Sequence, residues 1–98
     1  MAEVRWTPQA ADDLEAITEF IALDSAAYAA KFASDILETA AQLEEFPESG
    51  RVVPEIGQIQ IRELLMGNYR IIYRVPSALV EILTIHHGAR ILRPDELG

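Results

Sequence analysis

IRELLMGNYRIIYRV, from Ile61 to Val75, decides the fold. Two segments of strand length flank Gly67-Asn68, a pair suited to the positive φ of a two-residue hairpin turn. With those two residues in the turn, Met66 faces Tyr69. The ladder then sets Leu64 by Ile71, Glu63 by Ile72, Arg62 by Tyr73 and Ile61 by Arg74. A second short connection, Pro76-Ser77-Ala78, leads into LVEILTIH, Leu79 to His86. This second hairpin is expected to place Val75 by Val80, Arg74 by Glu81, Ile72 by Leu83 and Arg70 by Ile85. The result is a three-stranded antiparallel meander.

Because side chains alternate along a strand, both hairpins sort their residues into the same two faces. One face collects Leu64, Met66, Tyr69, Ile71, Tyr73, Val75, Val80 and Ile82, with Arg62, Thr84 and His86 toward its end. It is the face to be covered by helices. The other collects Ile61, Glu63, Leu65, Arg70, Ile72, Arg74, Glu81, Leu83, Ile85 and His87, an apolar floor carrying charges of both signs. Arg74 has Glu63 and Glu81 within reach and reads as structural. Arg70 has only Glu63 and ends beside Ile85 and His87, so it is the arginine expected to do functional work. His86 is expected to be a satisfied core histidine, and His87 the exposed one.

Upstream, AEVRW alternates as a short first strand, and Thr7-Pro8 reads as a helix N-cap followed by proline at the first helical position. Ala10, Leu14, Ile17 and Ile21 then fall on one helical face, with Asp12, Asp13, Glu15 and Glu19 turned to water. Trp6 is expected to pack in the core. Asp24 or Ser25 ends this helix and caps a second, whose stripe runs through Ala29, Phe32, Ala33, Ile36, Ala40 and Leu43 to Phe46. The two helices form a hairpin. Pro47 stops the second, and PESGRVVPEIG is a turn-rich connection in which Arg51 is solvated or pairs with Glu48 or Glu55. The fold class is therefore α+β, one domain over residues 1–98. The tail after about residue 90, with Arg93 offset by Asp95 and Glu96, is expected to be flexible.

Composition narrows the function. A chain of 98 residues, half of them apolar, closes one core. No apolar run is long enough to span a bilayer and no signal peptide is evident, which together with the lack of cysteine predicts a cytoplasmic protein. Thiolate metal sites are excluded, and His86 and His87 alone do not make a metal cage. The net charge of -8 argues against simple nucleic-acid binding. That average is uneven. Up to Glu48 there are eleven acids against Arg5 and Lys31, whereas from Ser49 onward five acids face six arginines.

The order strand, helical hairpin, Pro-rich turn with Gly50-Arg51, meander and terminal HHG resembles the ParE/RelE superfamily of type II toxin-antitoxin toxins. The resemblance rests on TPQAADDLEAI, LEEFPESGR, IREL, NYRIIYRV and EILTIHHGAR, and spans nearly the whole chain. It implies an antiparallel sheet packed on a helical hairpin, and an antitoxin that wraps the toxin in a hetero-oligomer. RelE-like members cleave mRNA on the ribosome, whereas ParE-like members bind DNA gyrase. A ribonuclease would use Arg70 for the phosphorane charge, His87 or, as second choice, His86 as acid or base, and Glu55 or Glu63 as base, without a metal or other cofactor. The branch's terminal aromatic residue and flanking lysines are missing, and the HHG-plus-arginine ending is closer to ParE. Contacts to target or antitoxin are expected from Arg51, Glu63, Leu65, Arg70, Ile72, Leu83, Ile85, His87 and Arg90, with Leu65, Ile72, Leu83 and Ile85 forming the apolar floor that an antitoxin covers. An inactive homologue that only scaffolds its antitoxin is a further alternative.

Overall fold

The computed structural model describes residues 1–90 and 92–97. Strand β1 (Glu3–Trp6) leads into helix α1 (Pro8–Ala22), and helix α2 (Ala26–Ala41) ends in a single 3-10 turn, Gln42–Glu44. Strands β2 (Arg51–Val52), β3 (Ile61–Met66), β4 (Tyr69–Arg74) and β5 (Leu79–His87) follow, and a second 3-10 turn, Pro94–Leu97, lies in the tail. All five strands join one sheet in the order β1-β5-β4-β3-β2, with β1 parallel to β5 and the others antiparallel. The α+β class and the meander hold. The two-residue β2 is an addition: part of the turn-rich connection pairs with β3, Arg51 opposite Glu63.

Local chemistry explains the helix ends. Thr7 caps α1, its hydroxyl accepting from the Ala10 amide at 3.1 Å, with Pro8 at the first helical position. Ser25 caps α2 in the same way through the Tyr28 amide. One face of the hairpin packs on the sheet, where Ala10, Phe32, Ile36, Ala40 and Leu43 bury Ile71, Tyr73, Val80, Ile82 and Ile85. Trp6 packs against this core, whereas Phe46 lies beyond the helix and is exposed. Gly50 is fixed by close approach: its amide donates to the Tyr73 hydroxyl at 2.9 Å, and a Cβ there would stand 2.7 Å from that oxygen and closer still to the Glu63 carbonyl.

The β3–β4 register is the one expected, pair for pair, from Ile61↔Arg74 to Met66↔Tyr69, and Gly67 takes the turn at φ 57. The β4–β5 register is not. Arg74 faces Glu81 and Tyr73 faces Ile82, but Ile72 faces Thr84, Ile71 faces Ile85, Arg70 faces His86 and Tyr69 faces His87. Leu83 is an extra residue, a β-bulge, and every β5 side chain beyond it changes face. Ile85 and His87 therefore turn toward the helices, the His87 ring meeting Tyr69 edge-on at 5.1 Å. His86 turns to the Arg70 face, the reverse of the expected assignment.

The cause of the bulge lies outside the hairpin. The Thr7 hydroxyl donates to the carbonyls of both Ile82 and Leu83, at 2.8 and 3.2 Å, and the Thr7 amide donates to Ile82. One turn further on, Asp13 accepts from the Thr84 hydroxyl and from the Ile85 amide. The start of α1 thus satisfies the backbone and side-chain groups that a bulge displaces from the ladder. Thr7→Val removes both the cap and the hydroxyl's bonds to Ile82 and Leu83 while keeping the side-chain shape. It should lower stability by about 1–2 kcal/mol, read as a reduced denaturation midpoint, with faster amide exchange centred on Thr84 and Ile85 and little change at the Met66–Tyr69 turn.

Candidate functional site

The sheet face opposite the helices is closed by the chain itself. Val53 and Leu92 are buried against Ile61 and Ile72, with Ile56 and Leu97 packed around them. The expected apolar floor is thereby corrected. Ile72 is inaccessible, Leu83 is buried at the bulge, Ile85 belongs to the helix-side core, and of the four only Leu65 is exposed.

At the centre of this face lies a four-membered ionic network. Arg70, 6% exposed, donates from Nε to Glu63 Oε1 at 2.5 Å, and from Nη1 and Nη2 to the two oxygens of Glu55 at 2.7 and 2.9 Å. Glu63, 1% exposed, takes a second partner at its other oxygen, Arg51 Nε at 2.5 Å. Three strands and a loop contribute: Arg51 from β2, Glu63 from β3, Arg70 from β4 and Glu55 from the β2–β3 connection. Arg51 and Glu63, both expected at a target or antitoxin contact, are thus each other's partners. Arg51 pairs with Glu63 rather than with Glu48 or Glu55. Arg74, expected to share Glu63, pairs with Glu81 alone and is exposed.

The electrostatics follow from the geometry. The bidentate bonds from Arg70 hold the Glu55 carboxyl down at about 2, and the same bonds, with those of Glu63, raise the arginine further above its ordinary value. Two guanidinium groups and two carboxylates make a neutral cluster. It leaves no net positive charge to stabilise a phosphorane, and all three nitrogens of Arg70 already face carboxylates. Isolated buried charges are strongly disfavoured, and here each buried charge has an opposite one at hydrogen-bond distance.

The remaining candidates are dispersed. His86 is buried on the Arg70 side, facing the tail, and its Nε2 lies 3.3 Å from Glu96 Oε2. His87 is half-buried on the helix side beside Tyr69, across the sheet from Arg70, and cannot share a reacting centre with it. Arg90 is exposed beyond β5. Among the described residues no three His, Asp or Glu side chains converge as metal ligands, and no helix is long and apolar enough to cross a membrane. Glu55 escaped the sequence reading as a partner of Arg70 because it lies in an irregular loop, where no periodicity reports direction.

This is a compact RelE/ParE-like fold whose would-be working arginine is tied into the sheet. Residues 4–92 match the family model of the ParE toxin of type II toxin-antitoxin system, parDE. Toxin RelE2 of Caulobacter vibrioides (strain ATCC 19089 / CIP 103742 / CB 15) is 38% identical over 92 residues, covering 93% of this chain and 100% of the relative. A solved structure, the chromosomal ParDE TA system from P. aeruginosa, matches with a TM-score of 0.74 at 28% identity, over 89% of this chain and 96% of that one. The chain belongs to the ParE toxin family of type II toxin-antitoxin systems.

The ion pair has a pH signature. Glu55 is held at about 2, below its ordinary 4.5, so its contribution to stability is complete above pH 4.5 and is lost as pH falls through the folded value. Acid titration of the unfolding free energy should therefore fall steeply between those limits. Glu55→Gln should flatten that interval, and an unchanged slope in the variant would show that other carboxylates set it.

Proposed function

We propose that this toxin arrests growth by binding a protein target, DNA gyrase, and that a cognate antitoxin neutralises it in a hetero-oligomer. The observation that carries the reading is the occupancy of Arg70. A metal-free ribonuclease needs a cation free to meet the charge that develops on phosphorus, with a proton carrier within hydrogen-bond reach of the same atom. Here the candidate cation is bound to Glu55 and Glu63, His87 is on the opposite side of the sheet, and His86, which shares the Arg70 face, is buried against the Glu96 carboxylate. The family assignment supports the toxin and its antitoxin, and the ParDE neighbour is described as a toxin-antitoxin system.

Surface character favours a protein partner over RNA. The helical hairpin exposes Phe20, Leu23, Tyr28 and Leu37 among its acids, and the first 48 residues carry only two basic side chains. Exposed apolar groups in an acidic setting suit a protein surface better than a phosphate backbone. Of the contacts expected from sequence, Arg51, Leu65 and Arg90 remain accessible for target or antitoxin.

Purified toxin added to gyrase and relaxed plasmid should inhibit supercoiling, and addition of the cognate antitoxin should restore it. The same preparation should leave ribosome-bound mRNA uncut. Cleavage of the mRNA with unimpaired supercoiling would transfer the chain to the ribonuclease branch.

A further inference from the structure

A cleft of about 380 Å³ separates the first turns of α1 from the distal half of β5; the ionic network does not use it, and of the proposed target contacts only Arg90 lines it. His86 lies at its base. The ring is 6% exposed, and neither nitrogen hydrogen-bonds to any described residue. A buried imidazole normally satisfies one donor and one acceptor, and here Nε2 meets only the Glu96 carboxylate, at ion-pair distance.

The group nearest to it comes from the tail. Glu96 Oε2 stands 3.3 Å from His86 Nε2, an ion-pair separation without hydrogen-bond alignment, and Oε1 is 3.8 Å from Nη2 of Arg90, whose side chain is 71% exposed. The Arg93 amide donates to the same carboxylate at 3.2 Å, and Gln9 Nε2 donates to the Glu96 backbone carbonyl at 2.6 Å. That amide, with the charges of His86 and Arg90, draws the Glu96 carboxyl below its ordinary value. The carboxylate is thus present among cationic and donor groups but reaches two of them at long range.

His87 lines the cleft from the other face of β5, beside Tyr69. Its Nδ1 accepts from the Ala89 amide at 3.1 Å, so in the neutral ring Nε2 carries the proton. Asp13, the other carboxylate lining the cleft, is already engaged by Thr84 and the Ile85 amide. The cleft volume falls within the range of small-ligand sites.

We infer that this cleft is an oxyanion site, built by His86 and Arg90, that takes the carboxylate or phosphate group of a ligand, and that Glu96 is an internal placeholder which the ligand displaces. A ligand competing with a tethered carboxylate binds with an affinity reduced by the fraction of time the site is occupied. Removing the placeholder's charge must therefore strengthen binding, whereas a tail residue that serves only to hold the fold would have no such effect.

The test is a titration of the full chain and of Glu96→Gln with inorganic phosphate and, separately, with acetate near neutral pH, followed by the ring and guanidinium resonances of His86, His87 and Arg90. Saturable shifts confined to these residues are expected, with binding to Glu96→Gln tighter by about fivefold or more. Arg90→Gln should abolish them at an unchanged denaturation midpoint. Whichever anion saturates first identifies the ligand group as phosphate or carboxylate. Shifts that never saturate, or equal affinity in the parent and Glu96→Gln, would overturn the inference.

Discussion

The buried pair of Arg70 and Glu63 is the constraint around which this molecule is arranged. A charge in a sheet centre is tolerated only when its partner is there too and its hydrogen-bonding groups are filled. Glu63 meets that condition with an arginine on each side, and Arg70 meets it with a carboxylate at either end. Two otherwise unrelated features follow. The loop between β2 and β3 must return over the sheet to deliver Glu55, and the short β2 must form to deliver Arg51. Once the loop is in place, Val53 and Ile56 accompany it and cover the apolar part of the same face. A surface that would otherwise invite a partner becomes a second, smaller core.

Function is shaped by the same arrangement. The arginine that the superfamily's ribonuclease branch would aim at a phosphate is here part of the structure, while the acidic helical hairpin keeps Phe20, Leu23 and Tyr28 outside. On the reading proposed above, a toxin built this way works through surfaces rather than through a reacting centre. Its surfaces are also divided by charge, since the helical half is strongly acidic and the strand half is nearly balanced.

Much of the fold was legible in sequence because hairpin turns and helix caps are local. Gly67-Asn68 fixed the β3–β4 register to the residue, and Thr7-Pro8 and Ser25 marked the helix starts. The second hairpin was legible only as far as Ile82. Beyond it, the choice between a regular ladder and a bulge depends on Thr7 and Asp13, some 75 and 71 residues away, and no pattern within β5 encodes that choice. One extra residue then exchanged the roles of His86 and His87 and moved Ile85 into the helix-side core. The site was harder still. Arg70 is expected from sequence to be the freer of the two arginines and is instead the more tightly held, because Glu55 reaches it from a segment without periodicity.

Whether Arg70 is structural or chemical can be decided without leaving a buried charge unpaired. Removing Arg70 alone would leave the buried Glu63 with only the exposed Arg51 as partner, at a cost of up to roughly 3–5 kcal/mol, and loss of toxicity could then reflect unfolding. Replacing the pair together, Arg70→Met with Glu63→Leu, substitutes apolar groups of similar size, an exchange often neutral for stability. The measurement is growth arrest on induced expression of this double variant, with its denaturation midpoint and soluble yield compared with the parent. The account predicts a folded protein that still arrests growth. A variant that is equally stable and soluble but no longer toxic would contradict it and return Arg70 to the role of a working residue.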